Sequence, residues 1–380
     1  MRLSREVQRW AAPSTELGET SMSEMTRRRA LKVSGLAAAA AAAVPLAAVP
    51  SSGAAASEPR RRPARGRIDT HHHAVPPRMR EWAVAQGLLP PTGGPAWAQW
   101  TLRDTLHTMD ANGIAVGVAS APVPAEAFMD RKAAVSGVQV CNESLAELVR
   151  DHPTRFGFFA NVAMLHPDLA VKQAAHAFDV LGADGVLLNT SAAGHYLGHR
   201  MFAPLFAELN RRRAVVFTHP VTPKGIVEVP EVGDWLGDFL LDTTRTALSL
   251  ISTGALDRYP NVSIILSHGG GFLPYMAGRA ERWGREDGGP DPAKIRPALR
   301  RFHYDTALPT SPYATPTLLA AAGADRVLFG TDWPANSAKE VGINTAGFDR
   351  DPGVNGRAHR AIVRDNALRL LPRLAKRLTG

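Results

Sequence analysis

Val262-Ser263-Ile264-Ile265-Leu266-Ser267-His268-Gly269-Gly270-Gly271 decides the architecture. It opens as a short, nearly continuous apolar run and ends on an imidazole followed by three glycines. Runs without polar alternation are buried on both faces, as parallel strands covered by helices are. Val215-Val216-Phe217-Thr218-His219-Pro220 and Val327-Leu328-Phe329-Gly330-Thr331-Asp332 have the same character, and each also ends on a His or an Asp. Working outward, strands are expected at 67–70, 114–120, 156–164, 185–190, 214–218, 262–267, 302–306 and 327–330. Helix-length segments at 102–112, 141–151, 169–181, 204–212 and 244–259 separate them, several with Gly or Pro just beyond the end. Eight strands alternating with helices predict an α/β fold, a single-domain (β/α)8 TIM barrel over residues 67–380. An open doubly wound sheet would need a Gly-rich phosphate loop after its first strand. Three histidines stand there instead.

Composition narrows the class. Of 380 residues, 21% are charged and 45% hydrophobic, which excludes wholesale disorder. The net charge of +9 is concentrated at the N-terminus, where residues 1–67 hold 12 Lys/Arg against 5 Asp/Glu. The body is close to neutral, so no nucleic-acid platform is expected. The single Cys141 excludes an intramolecular disulfide and a cysteine-cluster zinc site. Any metal must therefore be held by His and carboxylate. Upstream, Thr26-Arg27-Arg28-Arg29-Ala30-Leu31-Lys32 precedes an Ala-rich apolar stretch and then Ala54-Ala55-Ala56. The order charged, apolar, small predicts a cleaved signal peptide of twin-arginine type within residues 1–56, followed by a linker at 57–66. Export to the periplasm or the outside follows. The apolar stretch is interrupted by Gly35 and Pro45 and is short of the roughly 20 residues a span needs, so no stable membrane anchor is expected.

The polar residues gather at strand ends. The first strand leads into Asp69-Thr70-His71-His72-His73, the fifth into His219, the sixth into His268 and the eighth into Asp332. In a barrel these ends share one face, where active sites are built. His71 and His73 are two apart and face one way in an extended chain, with His72 opposed. Spacing alone leaves the register of three adjacent histidines open. A lone buried His is more often a hydrogen-bonded core residue than a ligand; four strand ends each offering His or Asp reverse that balance. Imidazole with carboxylate suits zinc, manganese or iron. The long segment 74–100 carries Trp82, Trp97 and Trp100, which either wall an aromatic pocket or cap the barrel. Asp305 reads as structural, His195 and His199 as neighbours of the mouth, and His107, His152, His176 and His359 as surface residues.

These strand-end motifs, with Thr218-His219-Pro220, Ser267-His268-Gly269-Gly270-Gly271 and Gly330-Thr331-Asp332-Trp333-Pro334, resemble the amidohydrolase superfamily. The similar branch holds aminocarboxymuconate semialdehyde decarboxylase and the aromatic-acid decarboxylases. Met109-Asp110-Ala111-Asn112-Gly113-Ile114 and Leu181-Gly182-Ala183-Asp184-Gly185-Val186 add a resemblance to 6-methylsalicylate decarboxylase-like proteins. The resemblance implies that His71, His73, His219 and Asp332 hold one divalent metal, zinc first and manganese as the alternative. It implies His268 and Asp332 as catalytic groups, and Arg279 as a carboxylate-binding residue shared across a homodimer. Trp97 and Trp100 of the long segment are the candidates beside the substrate. Binuclear members carry a lysine at the end of the fourth strand. Here Val186-Leu187-Leu188-Asn189-Thr190 has none, which favours one ion. The implied activity is non-oxidative decarboxylation of a small hydroxyaromatic or related carboxylic acid. Hydrolysis of a lactone or amide uses the same parts, and a secreted metal-binding protein without catalysis is the third reading.

Overall fold

Side chains that alternate across a strand decide what fills the lumen and what meets the helices. The computed structural model describes residues 66–227, 229, 231–285, 289–307 and 312–379. The expected signal peptide, and the expected linker apart from Gly66, lie outside the described residues. The strands are β1 (Arg67–His73), β2 (Ile114–Ser120), β3 (Phe156–Ala160) and β4 (Gly185–Asn189), followed by β5 (Val215–His219), β6 (Ser263–Leu266), β7 (His303–Asp305) and β8 (Val327–Leu328). They neighbour one another in chain order and every pair is parallel. The seam between β1 and the chain after β8 is bridged by backbone hydrogen bonds. Thr70 N donates to Phe329 O at 2.9 Å, Asp332 N to His71 O at 2.8 Å and His73 N to Trp333 O at 2.6 Å. The result is a nearly closed eight-stranded barrel, consistent with the (β/α)8 architecture expected.

The barrel is filled at one end. Ile68, Val118, Phe159, Leu187, Phe217 and Ile265 point inward, and Leu371 and Leu374 plug the lumen from below. Their outward neighbours, such as Val186, Leu188, Val216 and Leu266, pack under the helices. Burial on both faces explains the continuous apolar runs. On β1 the inward phase set by Ile68 changes at a register irregularity between Asp69 and His72. That irregularity turns His71 and His73 into the lumen and His72 outward. The His72 ring lies where a Cβ on Gly117 would come within 2.9 Å, so β2 needs a glycine there.

The helices begin where the sequence offers caps. Thr101 caps α1 (Leu102–Ala111) through Asp104 N, and Asp130 caps α2 (Arg131–Asp151) through Lys132 N and Ala133 N. Helix α2 thus starts ten residues before the expected point. The helices α3 (Pro167–Asp179), α4 (Ala203–Arg211) and α5 (Asp234–Ser252) follow. Helix α5 starts earlier than expected and stops at Gly254, whose left-handed φ of 68° ends it. Later come α6 (Ala277–Trp283), α7 (Pro292–Leu299), α8 (Ala314–Ala322), α9 (Ala338–Asp349) and, near the C-terminus, α10 (Pro372–Thr379). The segment 74–100 is ordered: Arg80 donates to the carbonyls of Ala98, Pro90, Pro91 and Gly93 and gathers it into a compact flap. Among the described residues no helix is long and apolar enough to cross a membrane.

Candidate metal centre

The open end of the lumen brings together His71, His73, His219 and Asp332, whose ligand atoms all lie within 4.8 Å of one another. His71 Nε2 and His73 Nε2 are 3.2 Å apart, and Asp332 Oδ1 is 3.2 and 3.1 Å from them. Two ligands about 2.1 Å from one ion span an edge of roughly 3.0–3.4 Å, from a right angle to a tetrahedral one. The separations match that edge.

Each imidazole is committed through its other nitrogen. His71 Nδ1 lies 2.8 Å from Asp305 Oδ2, and His219 Nδ1 lies 3.0 Å from the Pro220 carbonyl. Carboxylate and carbonyl oxygens only accept, so both rings donate from Nδ1. His73 Nδ1 is 2.9 Å from Ser120 Oγ, which itself donates to the His72 carbonyl at 3.3 Å. His73 therefore donates too. With Nδ1 spent on all three rings, Nε2 is the ligand atom, as in metal sites whose histidines are oriented by outer partners. The donor set of three imidazoles and one carboxylate fits a single divalent ion.

Electrostatics agree. Burial pushes His73 and His219 below the ordinary imidazole range, so both are neutral ligands near pH 7. Burial opposes charge on His71 as well, but Asp305 and Asp332 outweigh it and lift the ring to about 10. Burial opposes charge on Asp332, yet His71 and His73 hold its carboxyl well below its usual value. Without an ion, this pocket keeps a proton where a cation would sit. The floor beneath is apolar: the Phe217 ring stands edge-on to His71 at 4.9 Å.

The backbone is bent to make this arrangement. Asp332 has φ 60° and His268 has φ 52°, left-handed values that side chains other than glycine rarely adopt. After His268, a Cβ on Gly270 would come 2.6 Å from the Tyr304 ring, and one on Gly271 would collide with the Leu240 carbonyl. Two of the three glycines seen in the sequence are thus required for the turn that swings His268 inward. Its ring centroid lies 4.8 Å from that of His71, and its Nδ1 is buried without a hydrogen-bond partner among the described residues. Burial lowers its pKa, so it is neutral at rest. Asp69 ties the rim together: it accepts from Thr331 Oγ at 2.6 Å, Thr331 N at 3.0 Å and His71 N at 3.1 Å, and pairs with His72 Nδ1 at 3.0 Å.

Other expected residues lie apart from this cluster. Trp97 and Trp100 are half-buried and pack on the core from the flap. Arg279 is exposed on α6 and has no ion pair among the described residues. His195, in a short hairpin after β4, stacks on His199, which lies just beyond it, at 4.0 Å. His107 and His176 are exposed as expected, whereas His152 is half-buried against Phe156 and His359 is half-buried and bonded to Asp349 at 2.8 Å. Nothing in the sequence singles out Ser120, and Asp305 stands there only as a structural residue. Both stand at strand ends, and the rule that found the ligands applies to them equally.

The amidohydrolase family profile matches residues 68–373. The chain belongs to the amidohydrolase family. Within it, the chain is 35% identical over 321 residues to the 6-methylsalicylic acid decarboxylase of Penicillium expansum, covering 81% of this chain and 97% of that one. It is 32% identical over 294 residues to the gamma-resorcylate decarboxylase of Rhizobium radiobacter, covering 69% and 86%. The crystal structure of a dihydroxybenzoic acid decarboxylase from a Polaromonas species, with bound manganese and the inhibitor 2-nitroresorcinol, superposes with a TM-score of 0.72. It is 25% identical and the match covers 83% of this chain and all of that one. This amidohydrolase therefore falls in the aromatic-acid decarboxylase branch expected from its strand-end motifs.

Proposed function

We propose that this amidohydrolase is a metal-dependent, non-oxidative decarboxylase of a small ortho-hydroxy aromatic acid of the 6-methylsalicylate or 2,6-dihydroxybenzoate kind. The observation that carries this is the single-ion site of His71, His73, His219 and Asp332 with His268 beside it, in a chain whose relatives are decarboxylases. The ion is zinc or manganese, since three imidazoles and a carboxylate suit both. When bound, it supplies a Lewis acid that holds the acid's oxygens and stabilises negative charge.

The side chains do the rest. The ring carbon bearing the carboxylate must gain a proton before carbon dioxide can leave. His268, neutral at rest, takes a proton from solvent and delivers it to that carbon, returning to neutral. Asp332, touching both His71 and His73, is the second group from which the same proton can be passed. The C–C bond then breaks, its electron pair restores the aromatic ring, and carbon dioxide departs. Trp97 and Trp100 on the flap cover the substrate, which puts the reaction out of water.

The enzyme acts as a homodimer in this reading. Val227 after β5, Trp235 and Leu236 in the first turn of α5, and Phe272 and Tyr275 after β6 are exposed apolar residues, and Arg279 follows them in the chain. A guanidinium stays charged and pairs a carboxylate bidentately. Mixing Arg279→Ala with Asp332→Ala under proven subunit exchange restores about a quarter of wild-type activity if Arg279 serves the partner's site. If Arg279→Ala alone is inactive and mixing restores nothing, Arg279 acts within its own chain; activity surviving in Arg279→Ala alone removes it from the site. The twin-arginine-like stretch supports export of the protein already folded, read by following the length and compartment of the mature chain.

The activity test loads the protein with zinc or manganese and supplies 6-methylsalicylate and 2,6-dihydroxybenzoate. Carbon dioxide and the matching phenol are expected. Absence of both, with release of an acid from lactones, would replace the decarboxylase reading by the hydrolase one.

A further inference from the structure

The lumen is layered, and its polar layer holds a side-chain amide without a partner. Leu187 on β4 and Phe217 on β5 belong to the apolar plug. Side chains on a strand repeat every second residue, so Asn189 and His219 face the same lumen one layer higher. For His219 this is visible directly, its ring centroid lying 4.9 Å from that of His73. Asn189 is the register partner of His219 on the adjacent parallel strand. It is 4% exposed, and its Nδ2 is buried with no hydrogen-bond partner among the described residues.

Asn161, just past the end of β3, is a useful contrast. Its Nδ2 donates to the Ala121 carbonyl at 2.7 Å, and its N–H donates to Asn142 Oδ1 at 2.7 Å. Its Nδ2 is thus spent on holding backbone, while its Oδ1 is buried without a partner among the described residues. Asn189 holds nothing, although leaving a buried donor unmet is costly. Such groups in a native interior call for a reason. The strand order supplies one: β4 stands four places from β8 in a ring of eight, so Asn189 faces Asp332 across the lumen. An acid lying over the ligand cluster occupies the space between them.

We infer that Asn189 is a substrate-binding residue, its side-chain amide donating a hydrogen bond to an oxygen of the aromatic acid. This rests on the decarboxylase reading of the same site. The bond is absent in the free enzyme and forms only when substrate enters. Asn189 therefore contributes to affinity and orientation and nothing to the stability of the free protein. A hydrogen bond to a charged oxygen contributes roughly 1.5–3 kcal/mol, about a 10- to 100-fold change in affinity.

The test uses metal-loaded enzyme with Asn189→Leu and Asn189→Asp. Leucine removes the donor, and aspartate keeps the shape while replacing the donor by an anion that repels the acid. Initial rates with 2,6-dihydroxybenzoate and 6-methylsalicylate give KM and kcat, and melting curves with and without 2-nitroresorcinol give a readout free of turnover. Expected for Asn189→Leu are an unchanged or raised melting temperature without ligand, unchanged metal content, a KM raised at least tenfold with a smaller change in kcat, and a diminished ligand-induced shift. Asn189→Asp should bind more weakly still. If either folded variant binds the acids within twofold of wild type, the assignment is wrong. If Asn189→Leu melts well below wild type without ligand, the amide is structural and the inference also fails. Should wild-type enzyme neither bind nor decarboxylate any of these acids, it is the decarboxylase reading that falls.

Discussion

Replacing Asp305 by Asn should change how the site exchanges protons for metal. Asp305 Oδ2 lies 2.8 Å from His71 Nδ1, and both side chains are fully buried. Burial opposes charge on His71, and the two carboxylates Asp305 and Asp332 overcome that opposition to set its pKa near 10 without an ion. At pH 7 the free site therefore holds one proton on His71 that an incoming ion must displace. His73 and His219 are depressed and carry none there, and neither does Asp332. The sign follows: affinity rises with pH, about tenfold per unit, and therefore about 100-fold between pH 7 and 9. Asparagine keeps the shape and still accepts from Nδ1–H, but it removes the nearer anion and the His71 pKa falls. Metal binding to Asp305→Asn should then release well under one proton, and its affinity should be nearly flat over the same range. Calorimetric titration with zinc in buffers of differing ionisation enthalpy counts the protons directly. A full proton still released by Asp305→Asn, or none by wild type, would refute the argument that Asp305 sets the charge of this site.

Three further outcomes follow from the geometry. His219→Ala and Asp332→Ala should lose most bound metal and nearly all activity, while His268→Ala keeps the metal and loses activity; elemental analysis beside rate measurements separates the two, and stoichiometric metal in both ligand variants would sink the assignment. His303 is buried, accepts from Arg326 Nη1 at 3.3 Å, and burial depresses it to about 4. The unfolded chain takes up this proton first, so His303 makes stability fall as pH drops from about 6.5 to 4, by about 3 kcal/mol; urea unfolding of His303→Gln at pH 7 and 4.5 should show a shallower acid loss than wild type. Leu374→Ala removes part of the lower plug and should cost about 2–5 kcal/mol of stability by denaturant unfolding, with metal affinity at the far end of the lumen unchanged.

The strands were legible because parallel strands buried on both faces have little choice but to be apolar throughout. Their ends were legible because a His or Asp after such a run stands out. The bulge in β1 was not legible, since Asp69 creates it by bonding to His71 N and to Thr331, more than 260 residues away in the chain. The end of β3 was overrun because Asn161 N is captured by Asn142 on α2, which stops the ladder at Ala160. In the sequence Gly137 breaks the pattern of helix α2 and hides its first turns; there the Trp82 ring fills the space a side chain would occupy. The first turns of α5 expose Trp235 and Leu236, so they lack the one-sided pattern by which a helix is recognised. At the site, the ligands followed from type and position. The donors behind them did not, because Ser120 and Asp305 are ordinary residues until the folded strands bring them against His73 and His71.

The seam of the barrel lies within the metal centre. His71 and His73 come from the first strand, Asp332 follows the last, and backbone hydrogen bonds join the two segments beside the ligands. An ion held by all four residues is thus a clasp between the two ends of the ring, and its binding energy is set directly against the opening of that one joint. During synthesis the clasp cannot fasten until Asp332 has emerged, some 260 residues after His71. Metal capture then reports that the circle has been completed, and any chain carried onward with its ion in place has passed that inspection.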